Sequence, residues 1–187
     1  MATDASNVRV AVTGAVWKGD HGSTAPTGTS GAPDAAFSDL GYINEDGVEI
    51  ALPGVGDSTP IKAWQNGTTV RTIRTASEDK PSWKFTMIET KLETIELYFG
   101  VSVTQTTTEG SFAYTVAQRD PFALIVDVVD GAELIRDYVP NAVVTEVEGH
   151  TLANSSAIEY GVTVEGDLDA TAGFNFKRWA TALKTPA

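Results

Sequence analysis

A mainly β fold with one short flanking helix is predicted by three features of this sequence. Apolar and polar residues alternate in several separate runs, which is the two-residue period of strands with one buried face. Asp46-Gly47, Asn66-Gly67 and Asp130-Gly131 punctuate those runs, and the glycine supplies the positive φ of a tight reversal. Helical three- and four-residue spacing of apolar residues is clear in one stretch, Ile88 to Phe99.

The elements follow in order. Val8 to Trp17 sets Val8, Val10 and Val12 on one face and Arg9, Ala11 and Thr13 on the other, which predicts a strand. Residues 19–34 are rich in Gly, Ser, Thr and Pro and have nothing to pack into a core, so a long flexible loop is expected over about 19–37. Loops of this length are functional or disordered. This one is either a plain linker or an arm that orders against a neighbouring subunit. Leu40 to Leu52 predicts a hairpin turning at Asn44-Glu45-Asp46-Gly47. Ile61 to Trp64 and Val70 to Thr75 predict a second around Asn66-Gly67, and Trp83 to Met87 a further strand.

The helix is expected over about Thr90–Phe99. Ile88, Leu92, Ile95 and Phe99 form its apolar stripe, Thr90 and Glu93 a capping box, and Gly100 the left-handed residue after its last turn. Strands then resume. Phe112, Tyr114 and Val116 alternate with small residues. Phe122 to Val129 is nearly continuous in apolar residues and is expected to be buried on both faces. Asp130-Gly131 turns it towards Leu134 to Val139, Pro140 interrupts, and Val143 to Val147 resumes. Ile158, Tyr160, Val162 and Val164 mark a half-buried strand, and Phe174, Phe176 and Trp179 anchor a last one. The tail Thr185-Pro186-Ala187 is expected to be loose.

A length of 187 residues suits one domain with a proper core, taken here as residues 1–187. Apolar residues make up 42% of the chain and the mean hydropathy is −0.08, values of a soluble globular protein. No apolar run approaches the ~20 residues of a membrane-spanning helix. Met1-Ala2-Thr3-Asp4 lacks the basic start of a signal peptide. The chain has no cysteine, which excludes disulfides and fits a reducing cytosol. Asp and Glu number 25 against 13 Lys and Arg, for a net charge of −12. A nucleic-acid binder needs a basic patch, and no Lys/Arg cluster is present.

No reaction chemistry is legible. His21 and His150 both sit beside glycine in loop-like stretches, and the zinc-protease, serine-hydrolase and phosphate-loop motifs are missing. Asp167-x-Asp169-x-Thr171 has faint calcium-loop spacing but lacks the glycine and distal glutamate, so a solvated turn is expected. Nearby carboxylates are expected by chance in so acidic a chain. The Asn66-Gly67-Thr68 and Asn154-Ser155-Ser156 sequons carry little weight without a secretion signal. Trp17, Trp64, Trp83 and Trp179 are either a sugar platform or core and interface residues. No cofactor or metal is predicted.

One combination is more specific than its parts. A strand with Gly14 and Trp17 leads into the Thr/Pro/Gly-rich loop. Asp39-Leu40-Gly41-Tyr42 runs to Glu45-Asp46-Gly47-Val48, followed by Lys62-Ala63-Trp64-Gln65-Asn66-Gly67. Lys84-Phe85-Thr86 and Glu89-Thr90 then run into Glu96-Leu97-Tyr98-Phe99-Gly100. This order resembles the major tail tube proteins of long-tailed, siphophage-type bacteriophages, well over Val8 to Gly100 and beyond that only in general strand pattern.

The resemblance implies a two-sheet β-sandwich, barrel-like where inner sheets join around a ring, with one flanking helix. It implies hexameric rings stacked into a hollow tail tube that conducts DNA to the host, and a structural protein rather than an enzyme. Implied partners are other copies of the chain, a tape-measure protein, and tail tip and terminator proteins. DNA passes without specific binding, and no membrane is involved. The implied location is the virion tail, after synthesis in the host cytoplasm. Type VI secretion tube proteins are similar in fold. Some members append an immunoglobulin-like domain, which is not expected in a chain ending soon after Trp179.

Two sets of residues are singled out. Alternation points Glu159, Thr163 and Glu165 away from the core, and Glu146 likewise, with Glu148 just beyond. These face either the tube lumen or outer solvent. His21, Thr24, Pro26, Thr29 and Pro33 are candidates for contact with a neighbouring subunit. The alternative function is a lone β-sandwich recognising a carbohydrate or receptor on a phage or cell surface.

Overall fold

A computed structural model describes residues 7–185. Its strands are β1 (Thr13–Asp20), β2 (Phe37–Asp39), β3 (Ile43–Ala51), β4 (Ser58–Lys62), β5 (Thr69–Arg74) and β6 (Ser82–Met87), then helix α1 (Leu92–Phe99). After it come β7 (Thr104–Gln105), β8 (Gly110–Ser111), β9 (Phe122–Asp130), β10 (Glu133–Val147), β11 (Tyr160–Gly166) and β12 (Lys177–Ala180). The mainly β expectation holds.

The architecture turns on β10. One continuous sheet runs β2-β1-β9-β10-β11-β6-β3, with β12 also on β10. The first part of β10, Ile135–Tyr138, lies between β9 and β12. Its later part, Ala142–Val147, pairs with β11. The two halves of the sheet close on one core, sandwich-like. Val16, Leu124 and Val126 enter it from one side, and Trp83, Phe85, Met87, Val162 and Val164 from the other. Pro140 sits where the register with β9 shifts between Val139 and Ala142. A residue without an N–H is tolerated at such a bulge. Glu133–Val147 is therefore one strand with a bulge rather than two.

The apolar run of β9 is explained by its place. Phe122, Leu124 and Val126 face the main core, while Ala123 and Ile125 join Phe37 and Tyr138 in a second cluster on the opposite face, with Trp17, Phe174 and Trp179 packed against it.

Several expectations are corrected. The first strand begins at Thr13, and Val8, Val10 and Val12 before it are exposed and in no strand. Asn44-Glu45-Asp46-Gly47 does not turn a hairpin. Ile43 pairs with Met87 and Val48 with Phe85, so both ends of the segment stay on β6 and the extra residues bulge out of a single strand. Gly47 supplies the positive φ (71°), which serves a bulge as well as a turn. Phe112, Tyr114 and Val116 form no strand and are exposed; Phe112 and Tyr114 lie against the ring of Phe99.

Helix α1 starts two residues later than expected. Lys91 is its N-cap, without a side-chain cap bond, because the Thr90 hydroxyl meets Tyr160 Oη at 3.0 Å instead. Its buried residues are Thr94, Leu97 and Tyr98, with Ile95 and Phe99 only partly covered. Thr94 is turned inward because its hydroxyl donates to the Leu40 carbonyl at 3.1 Å. Gly100 closes the helix in the left-handed region (φ 66°), as expected. The second predicted hairpin is present as β4–β5, the strands at β6 and β9 lie where expected, and β11 begins at Tyr160, so Ile158 and Glu159 precede the strand they were expected to open. Pro186 and Ala187 of the predicted tail lie outside the described residues.

Candidate assembly surfaces

Register places the predicted acidic residues on one face. Across the second half of the sheet, Glu146 lies beside Thr163, Thr163 beside Lys84, and Lys84 beside Glu49. The next row is Val143, Glu165, Ser82 and Ala51. Because Trp83, Phe85, Val162 and Val164 point into the core, these rows point out of it. Glu159, just before β11, lines a shallow concavity at the end of the same face with Glu49, Lys84 and Glu148. Glu146, Thr163, Glu165 and Glu159 are thus brought together on a face of small and charged side chains.

Lys84 is the cation in its midst. Its ammonium lies 2.6 Å from Glu148 Oε1, and that hydrogen bond, with the negative charge of Glu148, Glu49 and Glu146, raises its pKa above the usual lysine value. Lys80 is raised in the same way, chiefly by its 2.6 Å contact with Asp167. Sequence reasoning missed Glu49, which the mistaken hairpin hid, and Lys84. The Lys84 signal was present: if Trp83 and Phe85 point in, the lysine between them points out.

The loop before β2 folds back onto the opposite half of the molecule. Arg136, only 5% exposed, makes a two-pronged pair with Asp127 at 2.6 and 2.8 Å. It also donates to the carbonyls of Gly28 at 3.2 Å and Gly31 at 3.0 Å. The Asp127 hydrogen bond raises the guanidinium pKa further above its usual value. His21 Nε2 lies 3.0 Å from Asp169 Oδ2. Pro26 lines a cleft with Tyr138, Phe174 and Trp179. Thr29 and Pro33 are half-buried and Thr24 is exposed. The loop thus has anchors its own composition does not supply. They are charged and aromatic side chains from β10 and the segment before β12, more than 100 residues away in sequence. A second two-pronged pair, Arg178 to Asp137 at 2.6 Å, ties β12 to β10.

Asp169 is buried rather than solvated, so that part of the expected solvated turn is corrected. The backbone N–H of Ala172, then the His21 ring and the N–H of Thr171, hold its carboxyl below the usual value. Its oxygens are thereby engaged, and Asp167 is taken by Lys80. Among the described residues no group of three or more His, Cys, Asp and Glu converges as metal ligands. His150 Nδ1 meets Tyr98 Oη at 3.0 Å within an aromatic cluster. The tryptophans form no platform. Trp83 is fully buried, Trp17 and Trp179 flank the second cluster, and Trp64 stands alone in solvent.

These surfaces look outward, not into a pocket of reactive groups. A family model described as "Phage tail tube protein" matches residues 1–179. The chain belongs to the phage tail tube protein family. It is therefore a structural component of the virion tail and not an enzyme, and it assembles into a tube alongside other tail components. The match extends well past Gly100 and takes in β9, β10 and β11, where sequence reading saw only a general strand pattern. No curated protein matches the chain significantly.

Proposed function

We propose that the chain is a single tail tube domain that forms hexameric rings, stacked into the hollow tube of a siphophage-type tail that conducts DNA to the host. In this reading the outward face of β3, β6, β11 and the second part of β10 lines the lumen. The observation that carries it is the row Glu146–Thr163–Lys84–Glu49 with Glu165 and Glu159 beside it. A wall of carboxylates and small side chains repels phosphates and offers bases nothing to stack on, so DNA slides without sticking. The partner of Lys84 is Glu148, which neutralises the one cation of that row.

The edges support the same reading. β3 ends the sheet, and residues 143–147 of β10 have a ladder partner on one side, β11, among the described residues. Exposed edges template pairing with another chain. Joining β3 of one subunit to β10 of the next around a ring closes the inner sheet and leaves no edge. The loop residues His21, Thr24, Pro26, Thr29 and Pro33 then lie away from the lumen and meet a neighbouring subunit. A tape-measure protein fills the lumen during assembly in the host cytoplasm, and tip and terminator proteins cap the ends.

The test exchanges Glu146, Glu159 and Glu165 together for Lys. Tubes should still form by electron microscopy, because none of the three is in the core. DNA ejection should slow severalfold, since each new cation adds a phosphate contact. Unchanged ejection kinetics, or a tube structure with this face outside, would overturn the assignment.

A further inference from the structure

Glu148 is held more firmly than a surface carboxylate needs to be. It follows the last ladder pair of β10 and β11, Val147 with Val162. Its N–H donates to the Gly161 carbonyl at 2.9 Å, and its own carbonyl accepts from the Tyr98 hydroxyl. Tyr98 is buried on α1, and its hydroxyl also lies 3.0 Å from His150 Nδ1. Both backbone polar groups of Glu148 are thus engaged, which fixes where its side chain starts.

That side chain lies across Gly161. A Cβ at position 161 would stand 2.6 Å from Glu148 Oε2 and 3.1 Å from Glu148 Cβ, too close for the carboxylate to stay. Gly161 is not among the glycines with positive φ, so space and not backbone conformation calls for a glycine there. From this slot Oε1 reaches Lys84 Nζ at 2.6 Å. The two side chains are 47% and 50% exposed, a setting in which ion pairs usually contribute little, partly because two long side chains must be ordered. A carboxylate already pinned at its backbone and lodged over a glycine has less freedom left to lose. Lys84 has a use on this face: it stands opposite Glu49 on β3 and offsets the repulsion among the surrounding carboxylates. Glu148 is its ion-pair partner within 4.0 Å among the described residues.

We infer that Glu148 is a positioning residue, set by Tyr98 and Gly161, that keeps the Lys84 ammonium off the phosphates of passing DNA. The inference rests on the lumen face proposed above. A bare cation adds a phosphate contact, and a tube repeats that contact in every subunit along the duplex. A carboxylate already at hydrogen-bond distance competes with phosphate for the same ammonium.

Two variants unmask Lys84 by different routes. Glu148→Gln removes the charge and keeps the shape, while Gly161→Ala keeps the charge and pushes the carboxylate aside. Thermal unfolding and electron microscopy confirm that each folds and forms tubes. In the free chain, acetylation of Lys84 by an N-hydroxysuccinimide ester is read by peptide mass spectrometry against Lys62 as internal standard. Lys84 should react about two- to fivefold faster in both variants than in wild type. Phage carrying Glu148→Gln should eject DNA severalfold more slowly, and adding Lys84→Gln should recover most of that loss. A purely structural ion pair predicts the reverse, since removing either partner would then do the same harm and removing both would not help. Equal Lys84 reactivity in wild type and Glu148→Gln overturns the inference, as does a slow ejection that Lys84→Gln fails to recover. Normal ejection by Glu148→Gln and Gly161→Ala, beside slow ejection by the triple Glu146, Glu159 and Glu165 exchange, overturns the mask and leaves the lumen face standing. Normal ejection by all of them refutes the lumen face, and the mask with it.

Discussion

β6 and β5 are both six-residue strands, yet one is in the core and the other is entirely in solvent. β6 puts Trp83, Phe85 and Met87 on one face, and all three are buried. β5 has two apolar residues, Val70 and Ile73, three positions apart and therefore on opposite faces. A strand with its apolar side chains gathered on one face can close a core with another layer. A strand that splits them has no face worth covering within its own chain.

Mutations break this comparison if it is wrong. Trp83→Ala should destabilise the free chain by about 4 kcal/mol through the cavity it leaves, while Ile73→Ala should stay within about 0.5 kcal/mol. Denaturant melts of both decide it; a large loss from Ile73→Ala would mean the ribbon packs on the body after all. The Arg136 anchor falls between these extremes, because it joins a body strand to a peripheral loop. Arg136→Met leaves Asp127 without its partner and should cost about 3 kcal/mol. It should also speed amide exchange across residues 22–33 while leaving β6 protected, and uniform exchange across both regions would count against a local anchor.

A pH-dependent effect is expected at Asp169. Its carboxyl is held below the usual 3.8, so the stability it adds is present above that value and is lost as pH falls through its folded pKa. The gap between wild type and Asp169→Asn should therefore be open at about pH 6 and close as the solution is acidified below 3.8. A gap that persists unchanged at lower pH would show that the charge is not what holds the turn.

Strand and turn signals were read well where the local pattern left one outcome. The alternation at β11, the two-faced apolar run of β9 and the glycine closing α1 needed nothing from elsewhere in the chain. They were misread where local chemistry serves two geometries. Asn44-Glu45-Asp46-Gly47 supplies the same positive φ to a hairpin and to a bulge, and only the shared neighbour β6 selects the bulge. Val8 to Val12 and Phe112 to Val116 alternate as strands do, but the first meets β9 only at its ends, through the Val12 N–H to the Val129 carbonyl at 3.2 Å and the Val10 N–H to the Asp130 carboxylate, and the second joins no described strand ladder. In the candidate lumen face, Glu146, Glu159, Thr163 and Glu165 were legible because an inward valine or tyrosine forces its neighbour outward. Glu49 was not, since its place depends on which strand β3 joins.

The sequence by itself determined the mainly β class, the position of the helix, the acidic balance and the outward direction of the β11 carboxylates. Each follows from periodicity, turn residues or composition, which act over a few residues. Only the tertiary structure decided that β10 bends through a bulge to join both halves of the sheet. It also decided that Arg136 grips the carbonyls of a loop 105 to 108 positions away, and that Thr94, Leu97 and Tyr98 are the buried face of α1. Those outcomes depend on which surfaces meet. A strand edge, a guanidinium or a helix stripe states what it is able to bind, and the folded chain selects the partner that leaves the fewest polar groups unsatisfied and the least apolar area in water.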